Sequence, residues 1–569
     1  MTAQRILPLG YVNFADLRRD NCIYADNTRL VYELIKSHTP FFLSRPHRFG
    51  KTLLVSVLKA ALEGRKDLFE GLWIYDQEYD WEPHPTISLS LASDASATPE
   101  ELRENLSQMA ISIARKEKMT LKPGAPGSLF MALIRKLYRK YGKRVAILID
   151  DYDIPIINHL NNLDLAHKMG RALDSFYSVI KACEDERDFI FMTGESGFLK
   201  TSFFNRLNNL TDISFHDECV NILGFTVAEF DRLFEARMEE TLNEFARAKR
   251  YPEIRNIGDL KSKILKWYGG YSWDGKTVLL NPWSVLSFFR KQDFDCFWPD
   301  PDRPGFLEKM ISAGQAKIPD LFNRYQFSYN ANILKMDDNF NLSALLFQTG
   351  YLSIAQMESS YCEYRYLLDF PNFEVRTSIT QISLSLKRPI EETLYLTKRG
   401  KTLLDTLSER DAERFRLVFR SFIKNFPSRN IINDENFEYL AFILAVTFSG
   451  HLCEPQVENG GEVKDLQFRS FCGDDYVVEI QRVSLPPTED NCRYGQKIKL
   501  MEDALNTAFK QIDLKKHHFR FQESGHKIYK TALVFAGRSE ILVDFREASD
   551  WRLEWDKYSN AYAVPFTVK

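Results

Sequence analysis

The run Ser44-Arg45-Pro46-His47-Arg48-Phe49-Gly50-Lys51-Thr52 holds the residues best suited to chemistry. It follows the apolar Phe41-Phe42-Leu43 and precedes a stretch rich in Leu and Val. Strand, loop and helix in that order form the layout that a nucleoside triphosphate needs. Loop N–H groups wrap the phosphates, Lys51 supplies a point charge, and the Thr52 hydroxyl reaches Mg²⁺. The helix opening at Lys51 adds the positive end of its dipole. Arg45 stands where the usual pattern has its first glycine, so Gly50, Lys51 and Thr52 carry the motif, with Arg45 and Arg48 expected to help bind the nucleotide.

A second stretch completes such a site. Arg144-Val145-Ala146-Ile147-Leu148-Ile149-Asp150-Asp151 is an unbroken apolar run closed by two carboxylates. Runs of this kind suit a parallel strand buried on both faces. Acids at its carboxyl end lie where open α/β sheets bind ligands. Asp150 is then expected to hold the Mg²⁺ water shell and Asp151 to orient or deprotonate the attacking water. A third strand, Phe189 to Gly194 followed by Glu195-Ser196, offers Thr193 or Ser196 near a γ-phosphate.

The elements that must position these groups are legible in outline. Leu30, Val31, Leu34 and Ile35 share one helical face, which Asp26 or Thr28 caps. Leu53, Leu54, Val57, Leu58, Ala61 and Leu62 repeat the spacing until Gly64 stops the helix. Thr86 to Leu91 alternates as a strand does, and Thr98-Pro99-Glu100-Glu101 reads as a capping box. Strand alternating with helix predicts a doubly wound parallel α/β sheet over residues 1–224. From 225 to 410 helices alternate with aromatic-rich connections. There the cluster Trp267 to Gly275 is read as the small core of a lid or winged-helix region in preference to a base-stacking platform. Beyond 411 an apolar helix (Phe437 to Phe448) precedes a hairpin of Asp465 to Phe471 and Tyr476 to Val483. A helix over Leu500 to Lys516 and a strand over Thr531 to Ala536 follow, so Asp465 and Glu479 fall on neighbouring strands.

With 569 residues the chain exceeds one hydrophobic core. A hydrophobic share of 44% with 27% charged residues is ordinary for a soluble protein. The net charge of −3 excludes a uniformly basic coat for nucleic acid. Eight cysteines without a Cys-x-x-Cys pair favour reduced thiols over disulfides or a zinc site. No apolar signal core follows Met1, and the apolar stretch from Tyr439 to Phe448 is too short to span a bilayer. The expected location is the cytoplasm, with no membrane partner.

Taken together, these motifs resemble a bacterial family of AAA-ATPase-like proteins carrying a C-terminal PD-(D/E)XK nuclease-superfamily domain. The resemblance runs nearly the full length. It rests on Tyr24-x-Asp26-x-Thr28-Arg29-Leu30, Ser44 to Thr52, Ile149-Asp150-Asp151-Tyr152-Asp153-x-Pro155 and Leu207-Asn208-Asn209-Leu210. It continues through Leu345-Leu346-Phe347-Gln348-Thr349-Gly350-Tyr351-Leu352 and Phe370-Pro371-Asn372-x-Glu374-Val375-Arg376. Arg45 is typical of that family. What the resemblance implies is a P-loop NTPase domain (1–224), a helical or winged-helix-like region (225–410) and a restriction-endonuclease-like α/β domain (411–569). ATP and Mg²⁺ are the implied cofactors, and DNA or RNA the implied further partner.

Two departures stand out. The family usually has Asp-Glu where this chain has Asp150-Asp151, which sets the water-activating carboxylate one methylene back. Its nuclease strand usually reads Glu-Phe-Lys, and here reads Glu479-Ile480-Gln481. In the implied nuclease chemistry Asp465 and Glu479 hold Mg²⁺ against the scissile phosphate, and a lysine on the face of Glu479 steers the water. Gln481 is neutral and can only hydrogen-bond, while Arg482 is assigned to the opposite face. Gln511 and Lys515 match family positions on the next helix, and Glu435 would add a third carboxylate. The run Lys515 to Phe521 offers a basic, aromatic strip for a phosphate backbone, against a plain solvated helix end. The expected function is an NTP-gated nucleic-acid effector. The alternatives are a nucleotide-switched binding or signalling protein with an inactive nuclease-like domain, and an ATPase motor assembled into homo-oligomeric rings, for which Arg206 is the nearest candidate finger.

Overall fold

In the computed structural model of the chain, Val145–Asp150 forms a strand buried along its whole length. The structure describes residues 5–197, 210–252, 254–298, 306–312, 325–328, 342–360, 363–385, 405–407, 409–424, 453–457, 463–469, 475–483, 494–515, 527–536 and 540–547. Two compact units divide it, Met1–Val375 and Arg376–Lys569.

The first unit is built on five strands: β1 (Phe41–Ser44), β2 (Thr86–Ser90), β3 (Val145–Asp150), β4 (Arg187–Gly194) and β5 (Thr211–Asp212). All pair in parallel, in the order β2-β3-β4-β1-β5. Continuous apolar sequence in β1 and β3 reflects burial on both faces, the usual state of a parallel sheet covered by helices. The helix Lys51–Leu62 packs on β2, β3 and β4, and Pro126–Tyr141 packs on β3. β4 therefore separates β1 from β3. Ser44 pairs with Gly194 and Ile149 with Met192, so the carboxyl ends of β1, β3 and β4 reach one edge together.

Thr226 and Glu229 form a reciprocal capping box that starts the helix Val227–Ala248. With Ile257–Tyr268 and Pro282–Lys291 it encloses an aromatic core, in which Phe234 stacks on Phe289 at 4.9 Å. The two-residue strands β6 (Phe225–Thr226) and β7 (Leu279–Leu280) pair antiparallel beside it. Tyr268, Tyr271 and Trp273 are buried. Phe49 of the glycine-lysine loop meets Tyr271 edge-on at 4.8 Å and Trp273 at 5.3 Å. This aromatic cluster is core, not a stacking platform. A sheet of β8 (Tyr325–Ser328), β9 (Ser353–Ser360) and β10 (Glu363–Asp369), in the order β8-β10-β9, completes the unit.

The second unit holds β11 (Cys453–Val457), β12 (Val463–Arg469), β13 (Asp475–Val483), β14 (Ile528–Ala536) and β15 (Glu540–Glu547), in sequential order. β12 and β13 form the expected hairpin, and Asp465 lies directly opposite Glu479. β13 and β14 run parallel, which requires a crossover connection between them, and a helix lies in it. That helix, Tyr494–Lys515, covers both strands through Met501, Leu505, Ala508, Phe509 and Ile512. Glu435, the Phe437 to Phe448 helix, Arg206 and residues 516–521 lie outside the described residues. Among the described residues no helix is long and apolar enough to cross a membrane.

Candidate functional site

The loop between β1 and the helix Lys51–Leu62 turns on two left-handed residues, Arg48 (φ 64°) and Gly50 (φ 99°). Glycine takes that conformation without cost, whereas Arg48 must be held in it. Its guanidinium lies 4.2 Å over the Trp283 ring and donates to the Phe297 carbonyl at 3.3 Å. Trp298 Nε1 donates to the His47 carbonyl at 3.3 Å. Glu374 anchors this segment by accepting from the Phe297 and Trp298 amides at 2.6 and 2.8 Å. Burial pushes the Glu374 carboxyl up to about 7, against the pull of these bonds.

Lys51 is only 5% exposed. Its Nζ donates to the Arg45 and Pro46 carbonyls at 3.1 and 3.2 Å and stands 3.6 Å from Asp151 Oδ1. Burial would lower its pKa, but Asp151, then Glu195, Asp153 and Asp150 outweigh it, and the net shift is upward. The ammonium is charged and aimed at the sheet edge.

Asp150 closes β3 at 1% exposure. Both its oxygens are sealed from solvent and meet no donor at hydrogen-bonding geometry, although the Thr52 hydroxyl is near enough to favour ionisation. Burial first and Asp151 second raise its carboxyl to about 6. A buried carboxylate without a partner beside a threonine hydroxyl is the donor set a hard, oxygen-seeking cation takes. The residues present suit Mg²⁺, which Thr52 and Asp150 would hold.

Three expected ligand residues are occupied elsewhere. Arg45, expected beside the nucleotide, has a fully buried guanidinium instead. It donates to the carbonyls of Ser44, Ser214, Cys219 and Val220 and lies 4.2 Å over Trp273. Burial lowers it to about 9, so it stays charged at neutral pH and braces the loop from beneath. Thr193 is buried and gives its hydroxyl to the Leu43 carbonyl at 2.8 Å, joining β4 to β1 instead of reaching a phosphate. Ser196 likewise donates its amide and hydroxyl to Asp153.

Asp153 and Glu195, to which the sequence motifs assign no role, also belong to the site. Asp153 accepts from the amides of Glu195 and Ser196 and fixes the end of β4; burial and then Glu195 raise it to about 7. Glu195 stands 3.5 Å from His47 Nδ1. A carboxylate closing the strand beside the loop strand was the available signal.

A cavity of about 450 Å³ opens beside the loop. It is lined by Arg48, Gly50, Lys51, Thr52 and Asp151 together with the apolar Tyr11, Ile23, Tyr24, Leu223, Phe225 and Leu286. Such a volume and mixed lining suit a cofactor-sized ligand with charged and apolar parts. Asn27 ties the N-terminal wall to the Ile222 carbonyl at 3.0 Å. The apolar wall had no signature in the sequence because it is assembled from three distant segments.

Residues 8–204 match the AAA-ATPase-like family, described as "Predicted AAA-ATPase". That match supports an ATP-binding NTPase in the first unit and does not reach the second. The chain is also similar to an "Uncharacterized protein in vnfD 5'region" of Azotobacter chroococcum mcd 1, at 27% identity over 549 residues, covering 95% of this chain and 99% of that protein. No solved structure matches.

In the second unit Gln481 Nε2 donates to Glu479 Oε1 at 2.9 Å and to Gln511 Oε1 at 2.5 Å. Glu479 is fully buried. Among the described residues no group of three or more His, Cys, Asp or Glu could hold a metal ion.

Proposed function

We propose that the first unit is an ATP-hydrolysing switch and that the second is a nuclease-like module acting on nucleic acid under its control. The observation that carries the first half is Lys51, held at the rim of the cavity between its own loop carbonyls and Asp151. Triphosphate oxygens would replace those carbonyls as its partners. Loop amides would bind the phosphates, and the apolar wall would take the base. Mg²⁺ on Thr52 and Asp150 would neutralise phosphate charge. Lys51→Ala is expected to abolish ATP binding in a protein that still folds, as circular dichroism would show, though with a lowered midpoint because Asp151 loses its buried partner. Calorimetric titration with ATP·Mg²⁺ is the test, and unchanged affinity would sink the assignment.

For the second unit, the Asp465–Glu479 pairing supports a nuclease-like frame. The Gln481 amide, shared between Glu479 and Gln511, favours binding without cleavage, because a neutral amide cannot supply the lysine's charge. The expected result is retention of labelled DNA or RNA with no cleavage under Mg²⁺ or Mn²⁺, with or without ATP. Cleavage that disappears in Glu479→Ala would instead establish an active site.

A further inference from the structure

We infer that Glu195, at the end of β4, is the water-activating base of the ATPase site, with Asp151 serving as the counter-ion of Lys51. The inference rests on the nucleotide reading of the first unit. The sheet order places β4 between the loop strand β1 and the acidic strand β3. Ser44 pairs with Gly194, so Glu195 follows β4 at the level where the phosphate loop leaves β1. The Arg45 amide donates to the Gly194 carbonyl at 3.1 Å and extends that pairing into the loop.

Three features make Glu195 a positioned group. Both oxygens of Asp153 accept from its amide, at 3.2 and 3.1 Å, which fixes the backbone. Gly194 before it is closely packed, since a Cβ there would lie 2.4 Å from Asp153 Oδ1 and 2.6 Å from the Tyr152 ring, so only glycine lets the strand end approach Asp153. The Glu195 side chain is 11% exposed and directs Oε1 to within 3.5 Å of His47 Nδ1 on the loop itself. It therefore lies against the loop that would hold the terminal phosphates, and its charge also acts on Lys51.

Asp151 is placed differently. It stands 3.6 Å from Lys51 Nζ with a left-handed backbone (φ 50°), and its side chain is a methylene shorter than glutamate. The longer carboxylate is on the neighbouring strand. In the step assigned to Glu195, its carboxylate takes a proton from water as the water oxygen bonds to the γ-phosphorus. The bond from that phosphorus to the β–γ bridging oxygen breaks, its electron pair leaves on ADP, and the proton passes on to the released phosphate or to solvent.

The full-length wild type is compared with Glu195→Gln, Glu195→Asp and Asp151→Asn, reading ATP affinity, steady-state hydrolysis and the nucleotide extracted from the protein after incubation with ATP·Mg²⁺. Glu195→Gln is expected to bind ATP within about threefold of wild type, to lose at least ~100-fold in kcat, the scale of a positioned base, and to retain uncleaved ATP. Glu195→Asp should recover part of kcat, which a merely structural loss would not show. Hydrolysis by Glu195→Gln within about threefold of wild type overturns the assignment, as does a wild type that binds ATP without hydrolysing it. Failure of the wild type to bind ATP removes the nucleotide reading itself, and the role of Glu195 with it.

Discussion

A basic side chain at a phosphate loop reads as a ligand until its surroundings are counted. Arg45 has four backbone carbonyls and an indole face around it, all buried. Removing the guanidinium would strand several carbonyls away from water, each costing on the order of 1–3 kcal/mol. Arg45→Ala is therefore expected to lower unfolding free energy by roughly 3 kcal/mol or more in denaturant titration. A phosphate arm would behave oppositely, with ATP affinity falling and stability holding. Lys51 and Asp150 were legible because a lysine opening a helix after a strand and loop, and an acid closing an apolar strand, together match a nucleotide site. Arg45 was not, because its partners at Ser214, Cys219 and Val220 are remote in sequence and are backbone atoms, which every residue carries.

Elements fix the loop from outside as well as from within. The motif Leu345 to Leu352 stood out in the sequence without an evident task, and its place in the fold supplies one. Gln348 accepts the Gly197 amide at 2.8 Å, just past β4. Gly350, at φ 90°, lies so close to Pro46 that a Cβ would stand 2.6 Å from the proline Cβ. Only glycine meets both demands. Gly350→Ala should cost about 1–3 kcal/mol through backbone strain and displaced Pro46, and should weaken ATP binding more than a distant mutation of equal cost. Thermal midpoints and titration of one sample check both; unchanged values would mean the contact is slack. Strands β1, β3 and β12 to β14 were predictable from apolar runs and alternation. β5, β6 and β7 have two residues each and offered no period to detect. The apolar cavity wall was hidden for a related reason, since Tyr11, Tyr24 and Leu223 converge only after folding.

At the scale of the molecule, the first unit concentrates buried acid around the phosphate loop. Asp150 is raised to about 6, and Asp153 and Glu374 to about 7, each chiefly by burial. Raised carboxyls hold protons in the native state that the unfolded chain releases at its ordinary, lower pKa. Their contribution to stability is thus complete below about pH 4 and declines as pH rises toward 7. The carboxylates held below their usual range, such as Glu82 and Asp164, are exposed and act at more acid pH, where surface pairs contribute little. Lys51, raised, keeps its charge throughout this interval. The apoprotein should therefore melt at lower temperature at pH 8 than at pH 5.5. Asp150→Asn should flatten that slope, since the shift from 3.8 to about 6 corresponds to at most roughly 3 kcal/mol at pH 8. ATP·Mg²⁺ should raise the wild-type midpoint at pH 8 and leave the Asn variant nearly unmoved. Scanning calorimetry of both proteins across this range decides it: a midpoint that climbs with pH would mean that these acids are not the strained groups of the apo fold.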